Sequence, residues 1–363
     1  MTSKTFWIIL SFTQNVLDMI KGDHQPVSAT LKEIAQRVNR SVTTVSRALA
    51  GYDDVSETTR EQVRRVALEL GYEPNIIAQQ LQKRRTDTIA LILPTFGPRF
   101  SDPFFSEFLA GVGNEAARHG FDLLVSTRAP GPEEELAYLK NIRSRRVDGF
   151  VILRTRRQDA RIALLLEQHY PFVAFGRISG DNNFPLVDED GELGVRLVVN
   201  HLIEQGHTRL GCIAAPAELM FAQYRLQGFV NTLETRGLAV DPALIIEGDL
   251  TQRAGREVGG RLLDMPNPPT AIVACNDLMA LGAMSAAQER GLVVGQDVAI
   301  TGFDDTPWAE NAHPPLTTVH QPIYKIGSMV CEMLVKVIKG EPLPEPQIIL
   351  QPTLVIRQSS GRG

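Results

Sequence analysis

Cysteine is scarce in this chain: three residues in 363, Cys212, Cys275 and Cys331, an odd number with neither CxxC nor Cys/His ligand spacing. That scarcity excludes a disulfide-stapled scaffold and a zinc-ribbon or zinc-finger site, and fits reduced, buried thiols. Aromatic residues are few, at 6%. Long apolar runs are lacking too, since the mostly apolar Phe6–Phe12 stretch is only seven residues, against roughly 20 needed to cross a bilayer. None of the seven histidines sits in HExxH, there is no GxSxG or GxxxxGK[ST], and Gly111-Val112-Gly113 falls inside a helical stretch rather than at a strand-to-helix turn. No catalytic residue, cofactor or metal ligand is expected. What is present is ordinary globular material, 43% hydrophobic and 22% charged, long enough for two or three domains at roughly 150 residues each.

Charge is distributed unevenly. The chain carries 37 basic and 42 acidic residues, a net of −5, which by itself argues against a partner that must be bound by neutralising phosphates. Locally the balance reverses: Thr30–Arg85 holds 10 Lys/Arg against 7 Asp/Glu, whereas the chain from Thr86 onward holds 25 against 33. A small basic head therefore precedes a larger acidic body.

The head is strongly patterned. Thr30-Leu31-Lys32-Glu33 is a T-x-x-E capping box, followed by Leu31, Ile34, Ala35 and Val38 on one helical face. Asn39, which tolerates left-handed backbone, ends that helix. Ser41 is placed to cap a second helix, Val42 to Ala50, with Val45, Ala48 and Leu49 inward and Val42, Thr43, Thr44, Ser46 and Arg47 outward. A third helix starts from a Ser56 cap, turns Val63, Val66, Ala67 and Leu70 inward, and stops at Gly71. Two short helices joined by a three-residue turn form a helix-turn-helix, which serves either for DNA reading or as a plain structural hairpin. The sequel favours DNA. Ala78, Leu81 and the cluster Lys83-Arg84-Arg85 supply a small residue, an apolar wedge and cations, the parts of a minor-groove insertion.

The stretches TLKEIAQRV, SVTTVSRALAG, VSETTREQV and LGYEPNIIAQQL resemble the LacI family of lactose-repressor-like bacterial transcription regulators, and the likeness runs from Thr30 to about Ile356. It implies that Val42 and Thr43 read bases, that Ser41 and Arg47 support base or phosphate contacts, and that Ala78 and Leu81 belong to a hinge helix with Leu81 intercalating. One departure is Asn39-Arg40 where the family usually has Gly-Val, which leaves Arg40 facing phosphate or solvent.

From Thr88 short apolar runs such as Ile89–Leu93, Gly149–Leu153, Phe172–Phe175, Leu210–Ala214, Ala271–Cys275 and Val298–Phe303 alternate with helical stretches. Alternation of this kind predicts parallel βαβ units in two doubly wound lobes, whose ligands bind beyond the carboxyl ends of the strands. Those positions hold Phe104, Phe105, Arg154, Arg177, Phe221, Arg225, Asn276-Asp277 and Asp304-Asp305. Rings, forked donors and carboxylate acceptors together suit a polyhydroxylated ligand. The resemblance selects the same cleft: YRLQGF, CNDLMALGAM and GFDD place Arg225, Asn276 and Asp304 on effector-contacting positions, and Phe105 on an aromatic that stacks on ligand in some members. Gln321, within TTVHQP, sits near the same cleft. Phe104 and Phe105 also read as core, and Asp190 and Asp277 as helix caps. Leu250 stands where sugar-binding relatives often present a large aromatic, and Glu218-Leu219-Met220 lacks the Arg of purine-binding relatives.

The expected fold class is α/β: an all-α helix-turn-helix head with a hinge helix, then two doubly wound parallel α/β lobes of periplasmic-binding-protein type. The expected domains are an N-terminal extension (1–29), a DNA-binding head (30–74), hinge and linker (75–87), and an effector-binding and dimerisation body (88–363), with the N-lobe at about 88–189 and 321–347 and the C-lobe at about 190–320 and 348–363. The expected function is a cytoplasmic, homodimeric repressor, released from a pseudo-palindromic double-stranded operator by a small-molecule effector, a sugar or glycoside. A corepressor-type regulator with a purine-like effector and a stand-alone sugar-binding module are the alternatives. No membrane partner is expected, and Gln351–Gly363 carries no leucine heptads, which favours a dimer over a tetramer. Lys4 with Phe6–Phe12 and Val27-Ser28-Ala29 faintly resembles a signal peptide. Export would separate the head from DNA, so residues 1–18 read as an extension from an upstream start, with Met19 as the working start.

Leu81→Ala is expected to weaken specific operator binding far more than non-specific binding in paired mobility-shift titrations; equal losses would mean that the hinge inserts no wedge.

Overall fold

The structure, a computed structural model, describes residues 29–72, 85–94 and 102–361, and the chain divides into two compact units, 1–83 and 84–363. Ala78 and Leu81 lie outside the described residues.

Three helices make up the described part of the first unit: α1 (Leu31–Val38), α2 (Val42–Leu49) and α3 (Glu57–Glu69). The capping box forms as its spacing predicts, with Glu33 N donating to the Thr30 hydroxyl (3.3 Å) and Thr30 N to the Glu33 carboxylate (2.6 Å). Asn39 adopts φ 50°, which breaks the helix and starts the turn. Ser41 then accepts from Thr44 N at 3.0 Å and opens α2. Ser56 precedes α3 but makes no cap to its backbone; its hydroxyl engages Thr58 and Thr59 instead. Ile34, Val38, Val45, Ala48 and Val63 close a core against which Leu49 and Leu70 pack. Ser41, Val42, Thr43 and Arg47 remain exposed on the opposite side.

The second unit holds two six-stranded sheets. β1 (Thr88–Pro94), β2 (Asp122–Arg128), β3 (Gly149–Ile152), β4 (Phe172–Phe175), β5 (Leu186–Glu189) and β11 (Gln347–Leu350) form the first, in the order β11-β5-β4-β3-β1-β2 and wholly parallel. β6 (Leu210–Ala214), β7 (Ile245–Glu247), β8 (Ala271–Ala274), β9 (Ala299–Asp304), β10 (Thr317–His320) and β12 (Thr353–Val355) form the second, in the order β12-β10-β9-β8-β6-β7, parallel except for β12 against β10. The connecting helices are α4 (Pro103–Arg118), α5 (Pro132–Arg143), α6 (Ala160–Glu167), α7 (Gly191–Glu204), α8 (Met220–Thr235), α9 (Gln252–Leu263), α10 (Asp277–Glu289), α11 (Pro307–Glu310) and α12 (Ile323–Lys339). They cover both sheets, as buried parallel strands require.

In each sheet the strand order reverses once, at β1/β3 and at β6/β8, and such switch points open a crevice beyond the strand ends. The chain passes between lobes three times: after Glu189, at Gln321-Pro322, and at Gln351-Pro352. The last crossing lies later than the boundary expected near 347, because Gln347–Leu350 pairs with Leu186–Glu189 and completes the first sheet before β12 returns to the second. Asp190 N donates to Leu350 O at 2.9 Å, tying two of the crossings together.

Candidate functional site

Between the lobes lies a cavity lined from the N-lobe by Asp102, Phe104, Arg154, Phe175, Asp188 and Glu189, and from the C-lobe by Phe221, Tyr224, Arg225, Leu250, Asn276 and Asp304, with Gln321 at a crossing. The strand ends supply most of these positions. Four of five sequence-predicted residues, Arg225, Asn276, Asp304 and Gln321, meet here. Phe105 does not: α4 turns Phe104 into the cavity and Phe105 toward a neighbouring chamber, which shares Asp102, Arg154 and Leu250 with the first.

Arg225 is the centre of the polar lining. Helix α8 carries it into the interior, where its guanidinium carbon lies 3.5 Å from the centroid of the Phe303 ring and 4.9 Å from that of Phe221. It donates to Cys275 O at 2.6 Å and to Glu189 at 3.3 Å, and faces Asp304 at 3.7 Å. Gln321 donates to Asp304 at 2.5 Å. Burial pushes the Glu189 carboxyl up to about 7, against the pull of Arg225, and burial likewise raises Asp304 well above its ordinary value. Three atoms of this cluster, Glu189 Oε2, Gln321 Oε1 and Arg225 Nε, are buried without a hydrogen-bond partner among the described residues. Each such orphan costs about 1–3 kcal/mol unless something pairs with it.

Strain collects around the same cavity. Arg154, Leu250, Asp304 and Asp305 adopt φ of 52°, 68°, 123° and 56°, positions costing on the order of 1–3 kcal/mol each for side-chain-bearing residues. Named contacts hold them. Arg161, fully buried, donates to the carbonyls of Leu153 (3.2 Å) and Arg154 (3.0 Å) while pairing with Asp159 (2.6 Å). Thus Arg154 is fixed where its guanidinium pairs with Asp102 (3.1 Å) and covers the Phe105 ring (4.5 Å). Asn276 caps α10 through Met279 N and donates to Leu250 O at 3.2 Å, so its amide holds the strained wall of the cavity. The two cap readings divide: Asp190 caps α7, whereas Asp277 lies inside α10, accepting from Thr306 and Thr318.

A strip of backbone clasps the lobes beside the cavity: Arg157 N donates to Glu218 O (2.8 Å) and Met220 N to Thr155 O (2.9 Å). Arg177, paired with Asp188 at 2.6 Å, lies 3.9 Å over the Tyr224 ring across the same gap. Glu189, Asp188 and Asp102 are pocket residues that sequence reasoning missed. β5 is only Leu-Val-Asp-Glu, and two apolar residues give no strand signal, although its place just before a helix cap was a usable clue. Among the described residues no group of three or more His, Cys, Asp or Glu is placed to hold a metal ion, and no helix is long and apolar enough to cross a membrane.

Comparison with known proteins yields two family matches: "Bacterial regulatory proteins, lacI family" over residues 30–75, and "Periplasmic binding protein-like domain" over 199–360. The HTH-type transcriptional repressor CytR of Escherichia coli (strain K12) is 37% identical over 344 residues, covering 94% of this chain and 99% of that protein. A structure described as a transcriptional regulator CelR–cellobiose complex is similar at a TM-score of 0.71 and 34% identity, covering 91% of this chain and 99% of the other. The lac repressor dimer bound to operator and the anti-inducer ONPF gives 0.82 and 30%, covering 92% and 100%.

The raised Glu189 carboxyl generates a pH prediction. Between its ordinary value of 4.5 and about 7 the folded chain keeps a proton that the unfolded chain has released, so this group's contribution to stability falls as pH rises through that window. Glu189→Gln removes the titration. The stability of wild type minus that of the variant, from urea melts, is expected to drop by about 3 kcal/mol across the window and level off above it; a pH-independent difference would show that Glu189 ionises normally.

Proposed function

Because this chain belongs to the lacI family of bacterial regulatory proteins, we propose that it is a repressor that leaves a pseudo-palindromic operator when a sugar or glycoside occupies the cleft between its lobes. The observation that carries this reading is the cavity itself, in which rings and hydrogen-bonding side chains from both lobes converge beside three unpaired polar atoms. Phe104 and Phe221 offer flat apolar faces, and Arg225, Glu189, Asp304 and Gln321 offer the donors and acceptors that hydroxyl groups require. The cellobiose complex of a relative supports the sugar class.

On the DNA side, Val42 and Thr43, exposed at the start of α2, read base edges from the major groove, with Ser41 and Arg47 contributing base or phosphate contacts. Arg47 is held ready by Asp54 at 2.6 Å and lies over the Tyr52 ring at 4.9 Å. Two heads in a homodimer match the two-fold symmetry of the operator, and Leu81 of each hinge wedges its central minor groove, with Ala78 as the small residue that allows close approach. The protein works in the cytoplasm, where its operator is. A ligand that bridges both lobes binds their closed arrangement better than the open one, and this differential affinity shifts the population and the DNA affinity with it.

Fluorescence anisotropy with a labelled operator tests the proposal. A sugar that stabilises the protein is expected to weaken operator binding of the wild type by at least about tenfold, or roughly 1.4 kcal/mol. Arg225→Met and Asp304→Asn should keep operator affinity and lose the response. Tighter operator binding with ligand would reverse the sign of regulation to a corepressor, and a response unaffected by either substitution would place the effector elsewhere.

A further inference from the structure

Among the described residues the cleft has four carboxyl groups on its lining, Asp102, Asp188, Glu189 and Asp304, against two guanidiniums, Arg154 and Arg225. Among the described residues every cation near them is already matched. Arg154 pairs with Asp102 at 3.1 Å, Arg177 with Asp188 at 2.6 Å from just outside the lining, and Arg225 stands between Glu189 at 3.3 Å and Asp304 at 3.7 Å. One guanidinium thus answers two carboxylates, and among the described residues no lysine lines the cavity. The unpaired atoms lean the same way. Glu189 Oε2 and Gln321 Oε1 are acceptors and only Arg225 Nε is a donor, on side chains that are each at least nine-tenths buried.

From this charge and donor ledger we infer that the effector is an uncharged molecule rich in hydroxyl or N–H donors, and that phosphorylated or carboxylated forms of the same molecule are rejected. The inference rests on the reading of the cleft as the effector site. A phosphate ester brings about −1.5 to −2 charges at neutral pH and three acceptor oxygens, into a site where, among the described residues, each guanidinium already has a carboxyl partner. Like charges brought together in a desolvated site oppose binding strongly. Burial raises the Glu189 and Asp304 carboxyls because the site is poorly solvated, and an entering phosphate would lose its hydration in the same place. A neutral polyol instead supplies donors to Glu189 Oε2 and Gln321 Oε1 and an acceptor to Arg225 Nε, and brings no charge.

The test is thermal shift followed by calorimetric titration of the full-length chain with matched pairs: ribose and ribose 5-phosphate, glucose and glucose 6-phosphate, galactose and galactose 6-phosphate, together with cellobiose, neutral nucleosides and their monophosphates. Inorganic phosphate is titrated separately against chloride at equal ionic strength. Every stabilising compound is expected to be neutral, with its phosphate at least about 100-fold weaker, and phosphate is expected to behave as chloride does. A phosphorylated member that binds as tightly as its parent, or a phosphate effect lost in Arg225→Met, would overturn the inference while leaving the sugar reading in place. Binding of a neutral nucleoside with no sugar bound would do the reverse, retaining the uncharged effector and removing the sugar class.

Discussion

Burying the Arg225 guanidinium between two phenylalanine rings obliges the protein to gather acceptors around it, since an unpaired cation in that setting is prohibitively costly. The acceptors come from separate parts of the chain: Glu189 ends the last strand before the first crossing, Cys275 O follows β8, and Asp304 ends β9. Gln321, at the second crossing, joins through Asp304. The cluster therefore sits where the chain passes between lobes.

The second constraint is backbone strain at the strand ends. Left-handed Arg154, Leu250, Asp304 and Asp305 aim their side chains off the sheets and into or beside the cleft. None would persist without support, and the support is specific: Arg161 grips the carbonyl before and at Arg154, Asn276 grips that of Leu250, and Arg357 and His320 hold Asp305 at 2.8 and 2.9 Å. Arg161, Arg357 and His320, which do not line the cavity, thereby join Asn276 in fixing its shape.

Local rules made the head legible. The Thr30–Glu33 box, Asn39 and the Ser41 cap are short-range devices, read directly from spacing, and only Ser56 behaves differently, because Thr58 and Thr59 compete for its hydroxyl. In the body, short apolar runs revealed the central strands, and the rule that ligands gather at strand ends found Arg225, Asn276, Asp304 and Arg154. Edge and crossing strands were not legible. β5, β7 and β11 are three or four residues with mixed polarity, and their strand character comes from neighbours far away in sequence. Glu189 was lost with β5. The choice between Phe104 and Phe105 depended on the rotation of α4 about its own axis, which a periodicity places only to within a residue.

The most direct measurement is a crystal structure of the full chain with a sugar that stabilises it. The account predicts density in the cavity between the lobes, with ligand hydroxyls donating to Glu189 Oε2 and Gln321 Oε1 and the Thr155–Met220 clasp intact. Density in the outer chamber alone, or at a surface remote from Arg225, would contradict it.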